Sequence, residues 1–100
     1  MNKYAISFDL VTSENENRQE DYDNAEKYLQ SLGYYYCKPL HNVYLIATNK
    51  FSNTEIRDYL KSIFRKEDNI LVVDLNGAWA SYNSQKNLDD IRGVLSKWKY

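Results

Sequence analysis

Asp9 is the residue best placed to do chemistry. It lies near the end of Tyr4-Ala5-Ile6-Ser7-Phe8-Asp9-Leu10, where Tyr4, Ile6, Phe8 and Leu10 alternate with Ala5, Ser7 and Asp9. A period of two is that of a half-buried strand, so Asp9 falls on the face opposite Ile6 and Phe8. A carboxylate there can hold Mg²⁺ or Mn²⁺, hard cations that take oxygen ligands and need few protein groups. One aspartate is not a metal site, but a two-fold dimer would bring two copies together. The other reading of Asp9 is a solvated strand-end residue or a turn cap. Ser7, on the same face, could position water or phosphate beside it.

Other reactive side chains are sparse. His41, the only histidine, falls in a hairpin turn beside Asn42. An imidazole there serves as a general base or simply faces solvent. Cys37 has no cationic cluster near it in sequence and reads as a small strand residue rather than a nucleophile. Asp74 interrupts an apolar run, as an edge residue or a second carboxylate. Trp79, after Gly77, is a core plug or an exposed anchor. Glycine-rich phosphate loops, zincin motifs, nucleophile elbows and dinucleotide fingerprints are all missing from the sequence.

These residues need a scaffold, and the periodicities supply one. The expected strands are 3–10, 34–38, 43–48 and 69–75, and the expected helices 19–32 and 53–65. Tyr22, Ala25, Tyr28, Leu29 and Leu32 mark one face of the first helix, with acidic residues at its positive end and Gly33 at its close. Pro39 should end the second strand, and Leu40-His41-Asn42 should turn the chain into Val43-Tyr44-Leu45-Ile46-Ala47-Thr48. That run is apolar enough to be central in a sheet. Ser52-Asn53-Thr54-Glu55 has capping-box spacing, and Ile56, Tyr59, Leu60, Ile63 and Phe64 share a helical face. After Asn76-Gly77, Ala78 to Tyr82 reads as an extension or fifth strand. Leu88, Ile91, Leu95 and Trp98 read as a terminal helix with Asn87 as its N-cap. The order is that of an α+β, ferredoxin-like βαββαβ sandwich, a single domain over residues 1–100 with a core at 3–76 and a C-terminal strand or helix extension at 77–100. Ile6, Phe8, Leu29, Leu32, Leu45, Leu60, Ile63 and Val72 are its expected buried residues.

Composition bounds the function. The net charge is −1, so no global basic field draws this chain to nucleic acid. Charge is unevenly spread: Glu14, Glu16, Glu20, Asp21, Asp23 and Glu26 crowd one stretch, and Lys61, Arg65 and Lys66 another. Ten tyrosines suit edge packing or a protein partner. The single cysteine allows no intrachain disulfide and fits a reducing compartment. Met1-Asn2-Lys3-Tyr4 carries no apolar signal region, and no run is long enough to span a bilayer. The expected location is cytoplasmic, without a membrane partner.

The strand ending at Asp9, Tyr28-Leu29-Gln30-Ser31-Leu32-Gly33, Val43 to Thr48, Ser52 to Leu60, Asp68 to Val73 and Leu75-Asn76-Gly77-Ala78-Trp79-Ala80 together resemble a group of small bacterial proteins labelled SinR-like. That group is similar to the small ferredoxin-fold CRISPR-associated nuclease family and to the VapD-type toxin ribonucleases. The likeness is a whole-chain pattern from Lys3 to Tyr82, not one diagnostic motif. It implies a homodimer in which Asp9 is the metal ligand, and Asn42-Val43-Tyr44 resembles the polar-Val-Phe entry to the third strand. The implied function is a metal-dependent nuclease or nucleic-acid-binding protein. The loop from Thr12 to Asn17 departs from the pattern, being acidic where the CRISPR-associated relatives tend to carry arginines. The alternative is a non-catalytic interaction module, an inhibitor or adaptor in bacterial or phage defence, whose acidic surface imitates nucleic acid.

Overall fold

The structure, a computed structural model, describes residues 2–33 and 35–75. Its elements run β1 (Asn2–Asp9), α1 (Gln19–Leu32), β2 (Tyr35–Leu40), β3 (Val43–Thr48), α2 (Asn53–Ile63) and β4 (Asn69–Asp74). The strands form one antiparallel sheet in the order β2-β3-β1-β4, and the fold is ferredoxin-like. The two strands with the cleanest apolar patterns, β1 and β3, are the central pair. The Ala78–Tyr82 strand, the Leu88–Trp98 helix and Trp79 lie outside the described residues.

The alternation in β1 sorts residues as expected. Tyr4, Ile6, Phe8 and Leu10 enter one core with Tyr44 and Ile46 of β3, Ala25, Leu29 and Leu32 of α1, and Ile56 and Leu60 of α2. Both helices therefore cover the same sheet face. Phe8 lies at its centre, stacked against Tyr44 at 5.2 Å and packed beside Tyr22 and Phe64. Burying each such side chain contributes on the order of 1.5–3 kcal/mol. On the opposite face Cys37, Leu45 and Ala47 are also buried.

Four local expectations change. Ile63 is exposed because it falls at the rim of the groove between α1 and α2 rather than over the sheet, and Val72, on the edge strand β4, is half-buried. Tyr59 is exposed on the same rim, where its ring stacks on Tyr28 at 3.6 Å. Pro39 does not end β2, which continues to Leu40. The strand tolerates it because β2 is an edge, where a missing N–H costs no central ladder bond, and because the register with β3 shifts between Cys37 and Leu40. Gly33 is extended at φ −135°, not a left-handed cap. A Cβ there would meet the carbonyl oxygen of Ala47 well inside van der Waals contact, so glycine is required by close approach. The Thr48 hydroxyl takes over the capping, donating to the Leu32 carbonyl at 3.1 Å.

The second helix starts as its sequence foretells. Ser52 Oγ accepts from the Glu55 amide at 3.2 Å while the Glu55 carboxylate accepts from the Ser52 amide at 3.0 Å.

Candidate functional site

Asp9 stands exposed at the end of β1, paired in register with Asn69 of β4. Its Oδ1 accepts from Asn42 Nδ2 at 2.9 Å. Ser7 Oγ donates to the Asn42 carbonyl at 2.7 Å. Ser7 and Asp9, both on the non-core side of β1, thus hold the β2–β3 turn through the backbone and the side chain of one asparagine. Ser7 is committed to that contact and does not line the cavity beside Asp9.

That cavity, about 230 Å³, is lined by Asp9, Gln19, Tyr22, Glu26, Lys38, His41, Asn42 and Tyr44. It opens where the end of β1, the N-terminal half of α1 and the β2–β3 turn meet. Here the tertiary fold brings together Asp9 and His41, which lie 32 positions apart in sequence. One wall is a fixed triad. Glu26 Oε1 accepts from Lys38 Nζ at 2.7 Å and from the Tyr44 hydroxyl at 2.8 Å. Partial burial pushes the Glu26 carboxyl up, but the two hydrogen bonds and the Lys38 charge outweigh it and hold it below the ordinary range. Burial, then the bond to Glu26, pushes the Tyr44 phenol well above its usual value, so it is a donor at any working pH. Lys38 also lies 5.1 Å from the Tyr44 ring centroid.

Sequence reading passed over Glu26, Lys38 and Tyr44 as site residues. Glu26 was one member of an acidic run, and its partner lies on another element 12 positions away. The other singled-out residues fall elsewhere. Cys37 is buried among Leu45 and Ala47, and Asp74 accepts from Asn53 Nδ2 at the start of α2 at 3.1 Å.

A second polar assembly ties the loop after β1 to the body. Arg18 grips Asp68 through two parallel bonds of 2.6 and 2.8 Å, donates to Asp21 at 2.8 Å and to the Val11 carbonyl at 3.0 Å. Asp68 also accepts from the amides of Val11 at 2.9 Å and Arg65 at 2.7 Å. The two side chains are 2% and 0% exposed, so this pair is internal. Hydrogen bonds from Arg18 and the two amides hold the Asp68 carboxyl down at about 2 against the opposing effect of burial. Arg65 bridges to Glu16 at 2.7 Å. Two acids of the stretch are therefore neutralised within the chain, Glu16 by Arg65 and Glu26 by Lys38, while Asp21 shares Arg18 with Asp68.

Among the described residues no group of three or more His, Cys, Asp or Glu side chains could hold a metal ion. A hard cation at Asp9 would have that carboxylate as its charged ligand from this chain. That donor set suits Mg²⁺ or Mn²⁺, which bind through one or two carboxylates with water and substrate oxygens, and does not suit a self-contained cage such as zinc uses. Comparisons of the chain with protein-family models, with curated proteins and with solved structures return no match. No helix among the described residues is long and apolar enough to cross a membrane.

Proposed function

We propose that this chain acts on nucleic acid as a homodimer, with Asp9 of each copy as the carboxylate for a shared Mg²⁺ or Mn²⁺. The observation that carries the reading is the meeting of Asp9 and His41 in one solvent-open cavity at the end of a central strand. A divalent cation bound there would polarise a phosphoryl oxygen and lower the cost of forming hydroxide from water. The chain's own contributions are positional. Asn42 orients the Asp9 carboxylate, and Ser7 fixes Asn42 through its carbonyl. His41 supplies a group able to take or return a proton at the cavity mouth. The Glu26–Lys38–Tyr44 triad keeps the opposite wall rigid. Neutralisation of Glu16 and Glu26 removes part of the repulsion that the acidic stretch would otherwise exert on a phosphate backbone.

The test is cleavage of labelled RNA and DNA by wild type and Asp9→Ala, with and without Mg²⁺ or Mn²⁺, beside light scattering of the wild type. The expected result is metal-dependent cleavage lost in Asp9→Ala and a dimer mass. Robust cleavage that survives Asp9→Ala removes Asp9 from the mechanism, and a monomer mass at high micromolar concentration sinks the shared site.

The contact between Asp9 and Asn42 favours a second reading, in which Asp9 clamps a turn and the chain is a non-catalytic inhibitor or adaptor. Glu14, Glu20 and Asp23, exposed on the loop and first turns of α1, would then meet a basic partner. Absence of cleavage under varied metals, with tight binding to a protein, selects it.

A further inference from the structure

We infer that the groove between the C-terminal half of α2 and the start of β4 is a track for the phosphate backbone of single-stranded nucleic acid. The groove, about 460 Å³, is lined by Arg57, Lys61, Arg65, Lys66, Asp68 and Ile70. It holds four of the chain's 13 Lys and Arg residues, although the net charge is −1. Its one acidic lining residue is internally spent, because Asp68 is saturated by Arg18 and two backbone amides.

The remaining charges are available to an incoming anion. Lys61 and Lys66 are exposed and form no ion pair among the described residues. Arg57 pairs only with its neighbour Asp58, and both are more than half exposed. Such a surface pair is weak, so a phosphate can compete for the guanidinium. Arg65 pairs with the half-buried Glu16, and Glu67, next in sequence to Lys66, is an exposed acid beside the groove, as is Asp58. Arg57 and Lys61 are one helical turn apart on α2, and Arg65 and Lys66 follow just past the helix end, so the four cations succeed one another along the groove. A line of cations suits a linear polyanion, whereas an isolated phosphate calls for a converging ring.

The place of the groove strengthens the assignment. Ile70 pairs with Phe8 and Asn69 with Asp9. The start of β4, which borders the groove, therefore lies beside the end of β1 that carries Asp9, across β1 from β3 and the β2–β3 turn. This inference deepens the proposed function by naming what holds its substrate. It rests on that reading for the identity of the polyanion.

The experiment is fluorescence anisotropy with short oligouridylate and oligothymidylate in EDTA, over a salt series, so that binding is read without cleavage. Lys61→Glu with Lys66→Glu should weaken binding at least ~10-fold. It should also lower the slope of log affinity against log salt by about 1.4, at ~0.7 per lost single-strand contact. Lys61→Gln with Lys66→Gln should fall between the two. Lys27→Glu with Lys50→Glu makes the same change in net charge at exposed sites outside the groove and should retain affinity. Thermal melts check that each variant is folded. Binding in EDTA is read apart from cleavage, so failure of the Asp9 chemistry leaves the groove standing. An equal loss in both charge-reversal pairs, unchanged binding in the Lys61/Lys66 pair, or no wild-type binding at low salt overturns the inference.

Discussion

Replacing Asp68 by alanine should be the most damaging polar substitution in the described part of the chain. The change removes the partner of a guanidinium whose side chain is 2% exposed. It also strips the Val11 and Arg65 amides of their acceptor. Arg18 would keep Asp21 and the Val11 carbonyl, so its charge stays partly compensated. Breaking one side of a buried pair costs about 3–5 kcal/mol, a large share of the ~5–15 kcal/mol that holds a domain together. For a domain of this size each kcal/mol lowers Tm by roughly 4–8 °C, so the melting point should fall by more than about 12 °C. The acid limb offers an independent check. The Asp68 carboxyl lies at about 2 in the folded protein against an ordinary 3.8. A carboxyl depressed on folding contributes stability that is complete above the unfolded value and is lost as pH falls through the folded one. Wild type should thus lose roughly 2 kcal/mol from this group between about pH 4 and pH 2, and Asp68→Ala should lack that component. Urea unfolding at neutral and acid pH, with m-values compared, measures both quantities. A double variant, Arg18→Met with Asp68→Leu, should cost less than Asp68→Ala alone, because it leaves no buried charge uncompensated, Asp21 being open to solvent. A loss below about 1 kcal/mol for Asp68→Ala, with an unchanged acid limb, would refute the internal ion pair as a stabilising tie.

Gly33→Ala should destabilise by about 1–3 kcal/mol, since the new methyl meets the Ala47 backbone rather than a movable side chain; denaturant melts measure it, and a neutral result would mean that the chain at Gly33 moves away from β3 cheaply. Ser52→Ala should cost about 1 kcal/mol through loss of the capping box, read as a lower midpoint with unchanged m-value. Asp9→Ala should cost about 1 kcal/mol or less, because the carboxylate is exposed and makes one side-chain bond, and a larger loss in a thermal melt would favour the turn-clamp role.

The sequence by itself determined the order and nearly the bounds of six elements, because each is marked by a period or a cap that neighbours in the chain create. The alternation in Tyr4 to Leu10, the helical spacing from Tyr22 to Leu32 and the Ser52–Glu55 box are all local facts. Local pattern also identified β3 as central, since only a strand covered on both sides can be apolar at successive positions. It could not show that Pro39 sits inside a strand, which depends on β2 being an edge. Nor could it show that Ile63 and Tyr59 face the gap between the helices, which depends on how α1 lies against α2. The candidate site was legible only as isolated residues. Asp9 and His41 were visible as reactive types, but their shared cavity exists because β1 ends where the β2–β3 turn folds over, a juxtaposition made by the sheet order. The tie between Arg18 and Asp68 joins residues 50 positions apart, and the Glu26–Lys38–Tyr44 triad joins a helix to two strands. Charge spacing along a chain reports pairs only within one helix or one turn. Which distant charges meet, and which are thereby removed from the surface, was decided by tertiary packing, because only burial makes such a pairing strong enough to be fixed.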